Sequence, residues 1–178
     1  MNAERRTTWP AYAAATVAAV FALVSLYWAA GGMAGMGTLG GEIERLGRAR
    51  DPELVAATWA ATVLKVLGAL LALALVRPWG RRLPPRLLLV TAWAGAVVLT
   101  LYGATQTLAV ALIYVGVSDD RQGLSQGALR WRMLLWEPWF LVWGLLLGLA
   151  AWQYGRAGGQ PPSSSITSRA SRLGATNV

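Results

Sequence analysis

Four long apolar stretches, almost free of charge, are the feature that most constrains how this chain folds. They cover about residues 11–30, 54–76, 87–111 and 133–152. A helix needs roughly 20 apolar residues to cross the hydrocarbon core of a bilayer, and each stretch is long enough. A soluble bundle instead carries charges every three or four residues along each helix. The chain is therefore predicted to be all-α, a four-helix transmembrane bundle.

The composition agrees with a membrane protein and excludes several kinds of chemistry. Charged residues make up 13% of the chain, whereas soluble domains average about 25%. Neither Cys nor His occurs, which removes disulfides, thiol nucleophiles and the usual zinc and haem ligands. No cofactor and no metal site is predicted. The abundance of Ala, Gly and Arg, beside a single Lys, indicates a bacterial source with a GC-rich genome.

The net charge of +8 comes from arginines at the ends of the apolar stretches, where they set orientation and meet anionic lipid. Nucleic acid is excluded as a partner, because no basic stripe follows a helix and no nucleic-acid motif occurs. Nine arginines fall on one side of the predicted bundle and six on the other. The cytoplasmic side usually carries the excess. The prediction is a multi-pass protein of the bacterial plasma membrane with both termini in the cytoplasm.

The ends of the stretches carry local signals. The first stretch is interpreted as a retained span, and a cleaved signal peptide after Arg5-Arg6 is the alternative. Asp51-Pro52-Glu53 is a strong helix start, because Asp caps, Pro fits the first turn and Glu favours the positive dipole end. Residues 42–50 are predicted to form a short surface helix. Residues 1–154 form the predicted transmembrane domain, and residues 155–178 a disordered cytoplasmic tail.

Two ionisable residues inside the spans, Lys65 and Glu137, are functional candidates because a charge within the membrane is costly. Both are predicted to lie in the outer half of the bundle, where they are able to pair. Two alternatives stay open for Lys65: a cation in a binding pocket, and a side chain that snorkels without a partner. For Glu137 the alternative is a place near water, at the start of a helix that begins with Pro138.

Other polar and aromatic residues are predicted to converge at the same depth as these two. The complete candidate ligand-binding set is Tyr27, Trp28, Lys65, Tyr102, Gln106, Trp136 and Glu137. An aromatic belt at the membrane surface is the simpler interpretation of the tryptophans. Residues 31–37 are glycine-rich and are interpreted as a flexible outer loop. Gly144 and Gly148 have the spacing that allows close packing of helices.

Two segments carry a resemblance to a known family. From Tyr27 the chain reads Tyr-Trp-Ala-x-Gly-Gly, and residues 136–139 read Trp-Glu-Pro-Trp. Over about residues 11–152 the chain resembles a family of small bacterial four-helix membrane proteins known only as a domain of unknown function. The resemblance implies a membrane location and four helices, and it supplies no catalytic residue. That family often has His before the tyrosine; Leu26 departs from this pattern, which weakens a metal or haem site here.

Three functions remain open from the sequence. The leading one is a non-enzymatic protein that binds a small lipophilic or amphiphilic ligand, or a membrane protein partner, in the outer half of the bundle. The second is a small oligomeric transporter that exchanges protons at Glu137. The third is a membrane-embedded enzyme with Glu137 as acid or base, which the lack of His, Cys and paired carboxylates makes the weakest. A structural accessory subunit fits the sequence as well as the first.

Overall fold

The computed structural model describes residues 8–117 and 124–158, and the regular structure within these residues is helical throughout. The helices in chain order are α1 (Trp9–Ala29), α2 (Gly41–Ala49), α3 (Pro52–Ala74), α4 (Pro85–Tyr114), α5 (Gln126–Trp131) and α6 (Glu137–Arg156). Four stretches are long and apolar enough to span a membrane: α1, α3, α4 and the continuous stretch Gln126–Arg156. The predicted all-α fold with four spans is confirmed for the described residues.

The spans alternate in direction, which gives the bundle two ends. We call one the terminal end, where the spans terminate at Trp9, Ala74, Pro85 and Arg156. We call the other the loop end, where they terminate at Ala29, Pro52, Tyr114 and Gln126. The half of the bundle nearest the loop end is the predicted outer half.

The starts of the helices follow the local signals in the sequence. Asp51 caps α3, since its Oδ1 accepts from the backbone N–H of Glu53 at 3.0 Å and of Leu54 at 3.1 Å. Pro52 occupies the first turn, where a missing N–H costs nothing. The predicted start of this helix is thus confirmed. A short helix is also formed in the predicted region, as α2. In this helix the hydrogen bond from Arg45 holds the pKa of Glu42 below its usual range.

The last span departs from the prediction at Pro138. Glu137 keeps helical angles (φ −77°, ψ −44°), so the helix does not begin at Pro138 and continues back to Gln126. The chain widens instead into a π-helical turn over Arg132–Trp136, in which the N–H of Glu137 donates to the carbonyl of Arg132. The wider turn accommodates a proline that has no N–H and whose ring would clash in a regular helix. The proposed helix start near water was wrong.

Packing divides the bundle into two helix pairs. α1 packs along α3, α4 packs along α6, and α1 also contacts α6, whereas α3 and α4 barely touch. A Cβ at Gly144 would stand 2.6 Å from the backbone nitrogen of Thr100, so only glycine permits this crossing of α4 and α6. The predicted close packing at Gly144 is confirmed. α3 and α4 expose large apolar side chains, as lipid-facing helices do.

The predicted disordered tail falls mostly outside the described residues. Gly155 and Arg156 complete α6, and residues 159–178 are not among those that the structure describes. The helical spans themselves differ from the predicted ones by a few residues at most ends. α4 is the exception in length: its 30 residues correspond to about 45 Å, well above the roughly 30 Å of a hydrocarbon core.

Candidate functional site

An aromatic cluster occupies the loop-end half of the bundle, with Phe21 of α1 at its centre. The ring centroid of Phe21 lies 4.9 Å from that of Phe140, 5.8 Å from Trp139 and 5.9 Å from Trp136. Phe21 is 6% exposed. Tilted ring pairs at these separations are favourable beyond the area that they bury. The cluster therefore fixes α6 against α1 just below the loop end.

Lys65 reaches this cluster from α3. Its Nζ donates to the hydroxyl of Ser25 at 2.6 Å and lies 3.9 Å from the centre of the Phe21 ring. The Lys65 backbone is about 20 Å along the helix from Pro52. Helical side chains tilt toward the helix N-terminus, which for α3 is the loop end, so the lysine stem extends toward that end. The ammonium thus sits between α1 and α3, with a hydroxyl and a ring face as its partners.

Glu137 has a different partner from the one that the sequence suggested. Arg132 donates to Glu137 Oε1 from Nε at 2.8 Å and from Nη2 at 2.6 Å. Glu137 is 5% exposed. Among the described residues, the ion pairs do not include one between Lys65 and Glu137. The pairing considered for Lys65 and Glu137 was wrong, because Ser25 and Phe21 hold the lysine and Arg132 holds the glutamate.

The π-helical turn explains why Arg132 and Glu137 meet. Residues five apart in an α-helix point about 140° away from each other, and only residues three or four apart are neighbours. The wider turn over Arg132–Trp136 brings residues five apart close to the same face. Pro138 thus has a chemical consequence, since the turn that accommodates it forms a buried ion pair.

The Tyr-Trp-Ala-x-Gly-Gly segment folds over the aromatic cluster at the loop end. The ring of Trp28 lies 5.2 Å from that of Trp136, and its Nε1 donates to the carbonyl of Ala34 at 3.0 Å. Tyr27 accepts from the N–H of Ala34 through its hydroxyl at 3.2 Å. The Tyr27 ring lies where a Cβ of Gly32 would stand, so this position requires glycine.

The glycine-rich connection is also held by a hydrogen bond to the last span, at Thr38. Trp136 Nε1 donates to the hydroxyl of Thr38 at 3.0 Å, and that hydroxyl donates in turn to the carbonyl of Gly35 at 2.6 Å. The stretch that the sequence suggested to be a flexible loop thus makes side-chain bonds to both α1 and the last span. Residues 30–40 thus form a cover over the aromatic cluster at the loop end.

Tyr102 and Gln106 join the cluster from α4. The Tyr102 ring meets Phe140 edge to face, with centroids 5.0 Å apart. Its hydroxyl lies near the side chains of Gln106, Glu137 and Arg132. Tyr102 is 47% exposed, so this side of the cluster opens toward the lipid-facing surface of α4.

The seven candidate residues therefore form one connected set, linked through residues that the sequence reasoning missed. The missed residues are Phe21, Ser25, Thr38 and Phe140, whereas Arg132 and Trp139 were expected near Glu137 from their position in the sequence. The sequence does carry a signal for Phe21 and Ser25, because their spacing places them on the same face of α1 as Trp28. The signal is weak because an apolar ring in an apolar span does not stand out.

Charge is unevenly distributed in this set. The Glu137 carboxylate is neutralised by Arg132, whereas the described partners of the Lys65 ammonium, Ser25 and Phe21, are neutral. In the part of the chain that the structure describes, no cluster of His, Cys, Asp and Glu is large enough to hold a metal ion. The arrangement suits the binding of an anion better than proton transfer between two free groups.

Comparison with known proteins identifies a family. A family model described as "Protein of unknown function (DUF3995)" matches residues 18–147. This range includes both the Tyr-Trp-Ala-x-Gly-Gly segment and the Trp-Glu-Pro-Trp segment, and it confirms the resemblance drawn from them. No curated protein and no solved structure matches the chain.

Proposed function

The chain belongs to the family described as "Protein of unknown function (DUF3995)", and from its own side chains we propose that it binds an anionic amphiphile without catalysing a reaction. The ligand has a carboxylate or phosphate headgroup and an apolar tail. Its headgroup contacts Lys65 between α1, α3 and α6, and its tail lies in the apolar interior or the surrounding lipid.

The observation that carries this proposal is the Lys65 ammonium, a charge within a span whose described partners are a hydroxyl and a ring. Burying a charge without an opposite charge is expensive, and a bound anion offsets that cost. The other charge at this level, Glu137, already has its counter-ion in Arg132. The site is therefore left with one net positive charge.

Trp143 supplies a second feature that suits an anion. Its side chain is 4% exposed, and within residues 8–117 and 124–158 its indole Nε1 has no hydrogen-bond partner. The indole ring lies against Gly68, one helical turn from Lys65 along α3. Indole N–H donates only, so an acceptor oxygen of a bound headgroup would satisfy it. A donor without a described partner therefore lies about one helical turn from the Lys65 backbone, toward the terminal end.

Access from the bilayer is consistent with the packing. α3 and α4 make few contacts with each other, which leaves the side of the bundle between them loosely closed. An amphiphile dissolved in the membrane would enter sideways, headgroup toward the loop end and tail toward the centre of the bilayer. This route requires no opening of the cover formed by residues 30–40.

The other two functions receive less support from the geometry. A proton-exchanging transporter needs a carboxylate that is free to change its charge, and Glu137 accepts two hydrogen bonds from Arg132. An acid–base enzyme has the same requirement. The same ion pair therefore argues against both, and we retain the binding function.

We further propose that the protein resides in a bacterial plasma membrane with its terminal end in the cytoplasm. The support is the excess of arginines in the sequence segments on that side, nine against six: Arg5, Arg6, Arg77, Arg81, Arg82, Arg86, Arg156, Arg169 and Arg172. A reporter enzyme that is active only outside the cytoplasm, fused after residue 178, should be inactive. Activity of that fusion would reverse the orientation.

The binding proposal is tested by native mass spectrometry of the purified protein titrated with oleate and, separately, with oleyl alcohol. Oleate should bind and oleyl alcohol should not compete, since only oleate carries charge. Lys65→Met should weaken oleate binding about ten- to a hundredfold, the loss expected for one charge-assisted hydrogen bond. Lys65→Arg should retain part of the affinity because it keeps the charge.

Arg130→Met is the matched control, since Arg130 is an exposed cation at the loop end outside the cluster. It should change oleate affinity by no more than about twofold. Equal binding of oleate to Lys65→Met and to the unmodified protein would refute the proposal.

A further inference from the structure

A groove lies between α4 and α6, on the half of the bundle opposite the proposed amphiphile site. Its volume is about 450 Å³, within the range of about 300–1,000 Å³ typical of small-molecule sites. Gly144 and Gly148 form its floor, and Trp93 and Trp152 are among the residues that line it. The two tryptophans are 42% and 45% exposed, so the groove opens on the side of the bundle that faces lipid.

Each helix that lines the groove carries an arginine beyond its tryptophan. On α6, Arg156 follows Trp152 by four residues, and its guanidinium carbon lies 4.0 Å from the centre of the Trp152 ring. On α4, Arg86 precedes Trp93 by seven residues, which places both on one face of the helix. Leu89 approaches to 3.6 Å of where a Cβ of Gly155 would stand, so the two helix ends are adjacent. Two cations therefore flank one mouth of an apolar groove.

The dimensions fit one leaflet of a bilayer. The lining of the groove on α6 runs from Gly144 to Trp152, about 12 Å, and Arg156 lies about 6 Å farther along the helix. The total of about 18 Å is close to half of a hydrocarbon core, about 15 Å. The arginines lie at the terminal end, at the level of lipid headgroups, and the glycines lie near the middle of the membrane.

We propose that this groove is a specific site for an anionic phospholipid of the leaflet at the terminal end. One acyl chain lies along the groove over Gly148 and Gly144, between the two tryptophans. Arg86 and Arg156 bind the headgroup phosphate. The cation–π contact with Trp152 holds the Arg156 guanidinium at the mouth in advance, which distinguishes this site from lipid that merely surrounds the protein.

The test is native mass spectrometry of the full chain titrated with phosphatidylglycerol and with phosphatidylcholine of identical acyl chains. Phosphatidylglycerol should be retained at least fivefold more strongly. Arg86→Gln or Arg156→Gln should weaken its binding about fivefold each, and the double variant about thirtyfold. Arg45→Gln with Arg130→Gln, two exposed cations at the loop end, should leave it unchanged.

A pair of neighbouring substitutions tests the groove itself without disturbing the packing of α4 on α6. Val97 lines the groove and Val98 does not, and both are at least half exposed. Val97→Trp should reduce phosphatidylglycerol binding and Val98→Trp should not.

Three outcomes would overturn the proposal: equal retention of the two lipids, equal behaviour of the two tryptophan variants, or a cross-linked dimer that Val97→Trp alone abolishes. The last would make a second copy of the chain the occupant. Lys65→Met should leave this site intact, which separates it from the amphiphile site.

Discussion

Two charged centres belong to the loop-end half of the bundle, and they are built in opposite ways. In the first, Arg132 and Glu137 neutralise each other through two hydrogen bonds within one widened helical turn. In the second, Lys65 comes from a different helix from its partners, which are the hydroxyl of Ser25 and the face of Phe21. The first centre contains both an ion and its counter-ion, so it has no net charge. The second has a positive charge whose described partners are neutral, so it is able to bind an anion.

The difference indicates which centre serves structure and which serves binding. Removing one member of a complete buried pair leaves an uncompensated charge, which is costly. Removing a half-buried charge such as Lys65, whose described partners are neutral, costs little because the charge itself is unfavourable inside a span. Stability should therefore depend strongly on Arg132 and weakly on Lys65, and binding should show the reverse.

Arg132→Met should give the largest loss of stability, about 3–5 kcal/mol, because it leaves Glu137 buried without a counter-ion. The measurement is the free energy of unfolding in mixed detergent micelles. Adding Glu137→Gln to the same protein should restore most of the loss, since no isolated charge then remains. A double variant as unstable as the single one would mean that the pair does not behave as a unit.

Gly32→Ala should cost about 1–3 kcal/mol, the usual penalty of overpacking, because its methyl group would occupy the place of the Tyr27 ring. Gly37→Ala is the matched change in the same connection, where the nearest side-chain atom stands at an ordinary 3.5 Å. It should be close to neutral. If both variants unfold alike, residues 30–40 do not act as a fitted cover over either centre.

The contact between Lys65 and Phe21 should have a coupling free energy of about 0.5–2 kcal/mol, the range of cation–π interactions. It is measured by a double-mutant cycle on unfolding with Lys65→Met and Phe21→Leu. A coupling near zero would mean that the ring does not support the ammonium.

Lys65→Met alone should change the free energy of unfolding by less than about 1 kcal/mol, in either direction. The lost hydrogen bond to Ser25 and the lost cation–π contact are offset by removal of a costly charge. Comparison with Arg132→Met under identical conditions sharpens the contrast. A loss of 3 kcal/mol or more would make Lys65 a structural residue like Arg132 and would weaken the binding proposal.

Sequence reasoning identified the spans and the depth of the polar residues, because both follow from hydropathy and from the rise of a helix. The cap at Asp51 follows from equally local rules. Lateral contacts do not follow from such rules. The pairing of Glu137 was missed because a π-helical turn changes which residues are neighbours, and Pro138 alone does not distinguish such a turn from a helix start.

Phe21 illustrates a second limit. An aromatic residue in an apolar span has the same pattern whether it faces lipid or lies at the centre of a cluster. Only the packing of α1 against α6 distinguishes the two cases. The polar residues were identifiable because the membrane tolerates few of them, and the apolar residues that join them into one site were not.

Lys65 is the one lysine of the chain, so its ammonium can be observed directly in the intact protein. Protein labelled with ¹⁵N-lysine carries a single side-chain amine, so its Nζ gives one resonance that needs no assignment. Titration with oleate should shift this resonance in a saturable manner, and titration with oleyl alcohol should leave it in place. A resonance that oleate does not move, while oleate binding is detected in the same sample, would contradict the assignment of Lys65 as the anion-binding charge.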